Sequence, residues 1–312
     1  MSDKLRIIFY GTPHFAVASL ESILNAGFDV VAVVTSPDRK AGRGMKLTPS
    51  PVKEFALKHH LDVLQPTNLK SDDFEQSLRS YNPNIQVVIA FRMLPEKVWN
   101  YPELGTINLH ASLLPNYRGA APINWAVING EKKTGVTTFR LKHEIDTGNM
   151  LDQAEVEIHE NDTAGTMHDK LMIEGSKLIV NTLQSIEEGE SNETPQLHSE
   201  QHHHAPKIFK DDCVIDWNKP AAEVHNLVRG LSPYPVARTS INGKTLKIFH
   251  TGQTDKNASG AGNIESDNQS YIHVSCADKV LSVLELQLEG KKKMSTADFL
   301  RGFDISEISH FS

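Results

Sequence analysis

The feature that most limits what this chain can fold into is the alternation, over its first 150 residues, of short apolar runs with longer stretches of helical spacing. Leu5 to Tyr10 is a brief apolar run that stops at Gly11, as a buried strand does. Phe15 to Ala26 has helical periodicity and ends at Gly27, a common helix terminator. Val30 to Val34 is again short and β-branched; Pro51 to His60 reads as a helix, and Val87 to Phe91, Thr106 to His110 and Val136 to Leu141 read as strands. Ala164 to Glu188 is a long helical stretch with Leu171, Leu178, Ile179 and Leu183 on one side. Strands separated by helices predict an α/β fold with a Rossmann-like, doubly wound, mostly parallel sheet.

The pattern then changes. Glu187 to Pro206 is polar, with Gly189, Pro195 and three adjacent histidines, and reads as a linker. Beyond it the runs shorten: Val214-Ile215, Ala237 to Ile241, Leu246 to Phe249, Ile272 to Ser275 and Val280 to Leu288 are strand-like. Asn242-Gly243 between two of them is a hairpin signal, and Ala221 to Leu231 reads as a helix. Short strands joined by turns suggest a small C-terminal β-barrel. The expected division is a first domain over 1–189, a linker over 190–206 and a second domain over 207–312.

A chain of 312 residues, 39% hydrophobic and 23% charged, suits an ordinary two-domain globular protein. No apolar run approaches membrane-spanning length and the first residues lack a signal-peptide pattern, so a cytoplasmic protein without membrane association is expected. Two cysteines, Cys213 and Cys276, make no disulfide framework and fit reduced thiols. The net charge of −7 by itself argues against a nucleic-acid partner, but residues 207–312 hold 13 Lys/Arg and 13 Asp/Glu. All of the acidic excess therefore lies before residue 207, and a neutral C-terminal part can still carry a basic face.

The first strand ends in Gly11-Thr12-Pro13, with one glycine where a dinucleotide site wants Gly-x-Gly-x-x-Gly, so a dehydrogenase is disfavoured. The densest signal is the run from Asn108 to Pro122. Asn108 and His110 are two apart on a strand, so both side chains point to one face at its carboxyl end, where open α/β sheets place ligands. An amide and an imidazole there can both hydrogen-bond a carbonyl that becomes an oxyanion; the alternative is a structural pair with no catalytic role. Asp146, before Thr147-Gly148, follows the next predicted strand and is expected on a loop at that same edge; such an Asp is otherwise a turn residue. His202-His203-His204 cannot converge on one metal and reads as solvated linker, so no metal site is expected. Arg39, Lys40, Arg43, Lys46 and Lys53 crowd a Gly- and Pro-punctuated loop with few acids, which is either a solvated surface or a phosphate-contacting one.

The strand-end Asn-x-His, the Ser112-Leu113-Leu114-Pro115 with Arg118-Gly119-Ala120 after it, and the Asp146-Thr147-Gly148 resemble the folate-dependent formyltransferases. The Gly11-Thr12-Pro13 turn, the 37–53 loop, Ala205-Pro206-Lys207, Ile215-Asp216-Trp217 and Gly290-Lys291-Lys292-Lys293-Met294 extend the likeness over nearly the whole chain, nearest to the branch that acts on methionyl-tRNA. The resemblance implies a catalytic trio of Asn108, His110 and Asp146, with 10-formyltetrahydrofolate as cosubstrate and no permanently bound cofactor. It implies folate contacts at Phe91, Arg92, Ser112, Leu113, Leu114 and Pro115. It implies an OB-like C-terminal barrel, and initiator methionyl-tRNA held through Arg39, Lys40, Arg43, Lys46, Lys291, Lys292 and Lys293.

Rival readings share the trio. A glycinamide-ribonucleotide formyltransferase has no need of a second β-domain; a sugar-nucleotide formyltransferase or a formyl-folate hydrolase has no evident use for the basic 37–53 loop and Lys291–Lys293. A non-catalytic RNA-binding relative would be marked by loss of the trio, which is intact. Two positions depart from the family: Arg92 and Glu144 stand where relatives usually have glycine. Either the two charges pair across the folate pocket, or each points into water.

Overall fold

The computed structural model describes residues 4–41, 45–197 and 202–311. Strand β1 (Arg6–Gly11) is buried along all but its first residue, and helix α1 (His14–Asn25) covers it with Phe15, Ala16, Leu20 and Ile23. Strand β2 (Asp29–Val34) follows. The 37–53 segment is not a plain loop, because β3 (Arg39–Ala41) and β4 (Lys46–Thr48) form a hairpin that sets Arg39 opposite Thr48. Helix α2 (Pro51–Lys58) starts where Ser50 accepts the Lys53 N–H, with proline in the first turn where no N–H is missed. Next come β5 (Val63–Leu64), α3 (Asp72–Ser80), β6 (Ile85–Ile89), the single-turn α4 (Glu96–Trp99) and β7 (Thr106–His110). After β7 lie β8 (Arg118–Gly119), α5 (Pro122–Ile128), β9 (Lys133–Arg140), β10 (Met150–Glu157) and the 25-residue α6 (Ala164–Glu188).

Seven strands form one sheet in the order β10-β9-β7-β6-β1-β2-β5. The ladders from β7 to β5 are parallel, so the carboxyl ends of β1, β6 and β7 share one edge. In register, Tyr10 lies beside Val88 and Val88 beside Asn108. Tyr10, Val88 and Asn108 thus face one side of the sheet, where Tyr10 and Val88 join a core with Ile8, Phe74, Leu78 and Val98. On the other side Leu109 packs so closely on α6 that a side chain at Gly175 would strike it.

β9 breaks the parallel pattern. It runs antiparallel to β7, with His110 opposite Thr137 and Ile107 opposite Arg140. The connection from β7 leaves the carboxyl edge and returns to it, so the next strand must run back the other way. Asp146 follows a strand and is expected from the sequence at the same edge as His110, but β9 itself ends beside the amino end of β7. Asp146 instead reaches His110 from the loop between β9 and β10.

In the C-terminal part, β11 (His204–Ala205) pairs with β8, and helix α7 (Ala221–Leu231) precedes an antiparallel sheet. Its strands are β12 (Ala237–Ile241), β13 (Lys244–Asn257), β14 (Ile264–Ser266), β15 (Ile272–Ser275), β16 (Lys279–Leu288) and β17 (Met294–Ser295), with α8 (Thr296–Leu300) after them. The order is β12-β13-β16-β15-β14, with β17 also on β16. Among the described residues no ladder joins β12 to β14, and a six-stranded antiparallel sheet stands where the sequence suggests a small OB-like β-barrel. Asn242 and Gly243 both have positive φ, 49° and 73°, the turn geometry that matches strand twist in a two-residue hairpin. Val214-Ile215 is no strand; Val214 makes a single bridge to Arg238. The core of this sheet is Leu246, Ile248, Ile272, Val274, Leu281, Val283 and Leu286, closed by Val224, Val228 and Leu231 of α7.

Two compact units result, and they are not consecutive in sequence. One holds residues 1–119, 135–156 and 168–204; the other holds 120–134, 157–167 and 205–312. Helix α5 belongs to the second because it packs on α7, where Asn124 donates to the Gly230 carbonyl at 2.8 Å.

Candidate active site

Asn108 and His110 emerge at the carboxyl edge on one face of β7. Asn108 is half-buried, and among the described residues its side-chain amide makes no hydrogen bond. His110 is 8% exposed. Its Nε2 lies 2.8 Å from the Tyr117 carbonyl, which can only accept, so Nε2 carries a hydrogen and Nδ1 is the open nitrogen of the neutral ring. Nδ1 faces Asp146 Oδ2 at 3.8 Å, too far for a hydrogen bond and close enough for a strong charge interaction once the ring is protonated.

Each partner of His110 is held by a turn. Tyr117 has φ 61°, and its N–H donates to the His203 carbonyl at 2.6 Å. The Tyr117 and His203 rings stack at 5.5 Å, and the His203 N–H donates to Asn116 Oδ1. The histidine triplet therefore is not simply solvated, since one member braces the turn whose carbonyl orients His110. Asp146 has φ 55°, a left-handed conformation that Asp tolerates, and its Oδ2 accepts the Gly119 N–H at 3.0 Å. Gly148 explains the glycine of Asp-Thr-Gly, because any Cβ there would overlap the Arg140 carbonyl oxygen.

Ser112, Leu113, Leu114 and Pro115 form the floor under this turn. Ser112 and Leu114 are buried, and Ser112 donates to the Asn116 carbonyl at 2.7 Å. Thr137 donates to the Ser112 carbonyl and accepts the Leu114 N–H. Gln153 reaches the Leu114 carbonyl from β10. Leu113 lies against Gly135, where the strand has no side chain. At the end of β6, Ala90 turns with φ 48° and Phe91 packs on Tyr10 at 5.6 Å.

Arg92 and Glu144 do not pair. Arg92 donates instead to the Pro66 and Thr67 carbonyls, its guanidinium 5.7 Å from the Phe91 ring centre. Partial desolvation, and then the charge of nearby Arg39, holds it below the ordinary arginine range. Glu144 is exposed, and its carbonyl accepts from Thr147. Two fixed carbonyl oxygens offer the guanidinium more than an exposed surface carboxylate does.

Of the basic residues, Arg39, Lys40 and Lys46 are exposed on the β3–β4 hairpin, and among the described residues none is in an ion pair. Arg43 lies outside the described residues. Lys53 is withdrawn from any outside partner, with Nζ 2.7 and 2.9 Å from the Asp38 carboxylate oxygens. Lys291 and Lys292 are exposed between β16 and β17, whereas Lys293 pairs with Glu285 at 2.7 Å. No group of three or more metal-binding side chains occurs among the described residues, and no described helix is long and apolar enough to cross a membrane.

Among the described residues, an amide without a hydrogen bond and a histidine–aspartate pair thus lie at the carboxyl edge of a Rossmann-like sheet. The chain belongs to the formyl transferase family: residues 4–183 match the formyl transferase model and residues 207–304 match the formyl transferase C-terminal domain. It is 48% identical, over 98% of this chain and 97% of the relative, to the methionyl-tRNA formyltransferase of Bacteroides fragilis. It is 50% identical to that of Azobacteroides pseudotrichonymphae, over 96% and 97% of the two chains. In fold it is similar to an N-formyltransferase of Helicobacter canadensis solved with folinic acid and dTDP-3-aminofucose. That likeness has a TM-score of 0.68 at 22% identity and covers 93% of this chain and 100% of the other.

Sequence reasoning missed Gln196, which is 7% exposed inside the stretch read as linker and touches both Arg118 and the Asp146 loop. Its one local signal is the Pro195 before it, which is a weak one.

Proposed function

We propose that this protein transfers the formyl group of 10-formyltetrahydrofolate to the α-amine of initiator methionyl-tRNA. The observation that carries the reading is the Asn108 amide, without a hydrogen bond among the described residues, on the same strand face as His110, whose Nδ1 faces Asp146, in a chain about half identical to named methionyl-tRNA formyltransferases along its length. The site residues fit a folate formyl donor: a half-buried amide without a partner among the described residues suits a ligand carbonyl, and the Phe91 ring offers an apolar wall at the same edge.

The folate would supply the formyl carbon, which bonds to the amine nitrogen as its bond to the carrier nitrogen breaks. Asn108 would donate to the formyl oxygen as it gains charge, a contribution of roughly 3–4 kcal/mol for a well-placed donor. From the sequence, His110 is expected to share that task. Its Nε2–H is committed to the Tyr117 carbonyl, so His110 is better placed to take the amine proton at Nδ1, where Asp146 would stabilise the imidazolium. Ser112, Leu113, Leu114 and Pro115 would hold the folate mainly through backbone and shape, and Arg92 would line the rim.

The tRNA would be held by Arg39, Lys40, Arg43 and Lys46, and by Lys291, Lys292 and Lys293 on an OB-like second domain. We assign catalysis to 1–189, a linker to 190–206, tRNA holding to 207–312, and the working place to the cytoplasm, where tRNA is charged. The test is formyl transfer from 10-formyltetrahydrofolate to methionyl-tRNA, free methionine and an amino-sugar nucleotide, read by mass spectrometry. Transfer to the amino sugar and not to methionyl-tRNA would refute the assignment. Arg39→Ser with Lys46→Ser should raise the tRNA KM, leave the folate KM unchanged and reduce the salt slope of tRNA binding by roughly 1–2.

A further inference from the structure

We infer that Gln196 is a positioning residue that sets the Asp146 carboxylate opposite His110. The inference rests on the catalytic roles proposed above. Gln196 lies between α6 and β11, where reciprocal backbone hydrogen bonds of 2.8 Å between Thr194 and Met150 fix the preceding residues. Its amide is 7% exposed and uses its full bonding capacity. Nε2 donates to the Asp146 carbonyl at 2.9 Å and to the Gly148 carbonyl at 2.7 Å. Oε1 accepts from Arg118, whose Nε is 3.0 Å away.

The two sides of this bridge are the two sides of the Asp146 carboxylate. Gly119, next to Arg118, donates its N–H to Asp146 Oδ2, and that same oxygen faces His110 Nδ1 at 3.8 Å. Gln196 thus ties the backbone beneath the carboxylate to the strand that clamps its oxygen. Asp146 sits at φ 55°, a left-handed conformation that Asp tolerates and that the hydrogen bonds around it fix here. The Gln196 donors are the groups that hold the Asp146 and Gly148 carbonyls in that turn. Burial lowers the pKa of the Arg118 guanidinium, against the attraction of Asp146 and then Glu144, and the neutral Oε1 gives that cation an acceptor without adding a third negative charge.

The chemistry of the position is specific. Glutamate has the same shape and can still accept from Arg118, but it would turn an anionic oxygen toward two carbonyl oxygens. Methionine keeps the volume and makes none of the four bonds. Misplacing a reacting group by about 1 Å costs on the order of a hundredfold in rate. Gln196→Met and Gln196→Glu should each therefore lose roughly tenfold to a hundredfold in kcat, with both KM values within about twofold of the parent.

The experiment measures kcat and both KM values for Gln196→Met, Gln196→Glu and His110→Ala, with melting temperatures and a crystal structure of Gln196→Met. Expected are the kcat loss with preserved KM, a folded protein, and an Asp146 carboxylate displaced from His110. A parental kcat in either Gln196 variant, a loss confined to KM, a loss that merely follows the unfolded fraction, or an unmoved Asp146 overturns the inference. His110→Ala separates the two failures: if it is active the catalytic reading falls, and if it is inactive while the Gln196 variants work, only this inference does.

Discussion

Two histidine clusters in this molecule are built from similar residues and differ in how completely they are satisfied. At the carboxyl edge of the first sheet, His110 has one nitrogen on a carbonyl and the other facing a carboxylate 3.8 Å away, on a strand face shared with an amide that has no partner among the described residues. In the second unit His225 lies 2.9 Å from Thr251 Oγ1. Beside it Arg229, 4% exposed, donates to Asn226 Oδ1 and to the His159 and Asp162 carbonyls. Leaving polar groups short of partners costs free energy, so a fold keeps such a cluster where a ligand completes it. A more completely bonded one holds segments together: Arg229 ties α7 to the residues before α6.

The strongest way to break this comparison is His110→Ala. If His110 has the base role proposed for it, formyl transfer should fall by roughly a hundredfold or more with the melting temperature little changed. Full activity in a folded variant would remove the distinction between the clusters. Arg229→Ala should do the opposite, lowering stability by about 3 kcal/mol through carbonyls left unpaired while the folded fraction keeps its kcat; chemical denaturation with active-site titration checks both.

A subtler test uses pH. Burial, and then the Arg229 charge, holds His225 below the ordinary histidine pKa. As pH falls below about 6.5 the unfolded chain takes up a proton that the folded chain resists, so stability is present above that pH and drains away below it. His225→Gln should flatten the decline in melting temperature between about pH 7 and 5; an unchanged slope would count against the burial argument. The smallest effect concerns the thiols. Cys276 is fully buried, with burial and Asp278 pushing it up to about 12, and Cys213 is also raised by burial. Native protein should react with iodoacetamide at pH 8 far more slowly than denatured protein, without loss of activity.

The amino-acid sequence alone determined what local periodicity and covalent geometry control. β7 and α6 fall where their spacing puts them, and alternation on a strand is enough to place Asn108 and His110 on one face. Asn242-Gly243 makes the hairpin because both residues accept positive φ. Tertiary structure decided whatever depends on which distant segments meet. The antiparallel course of β9, and hence the route by which Asp146 reaches His110, follows from where the chain re-enters the sheet after α5. Arg92 chose the carbonyls of Pro66 and Thr67 over Glu144, and those lie 25 and 26 positions back in the chain. Gln196 and His203 stand in a polar stretch whose composition matches any solvated linker. They bear on the site only because the chain after α6 passes over the Asp146 and Tyr117 turns, a proximity that no local pattern of residues records.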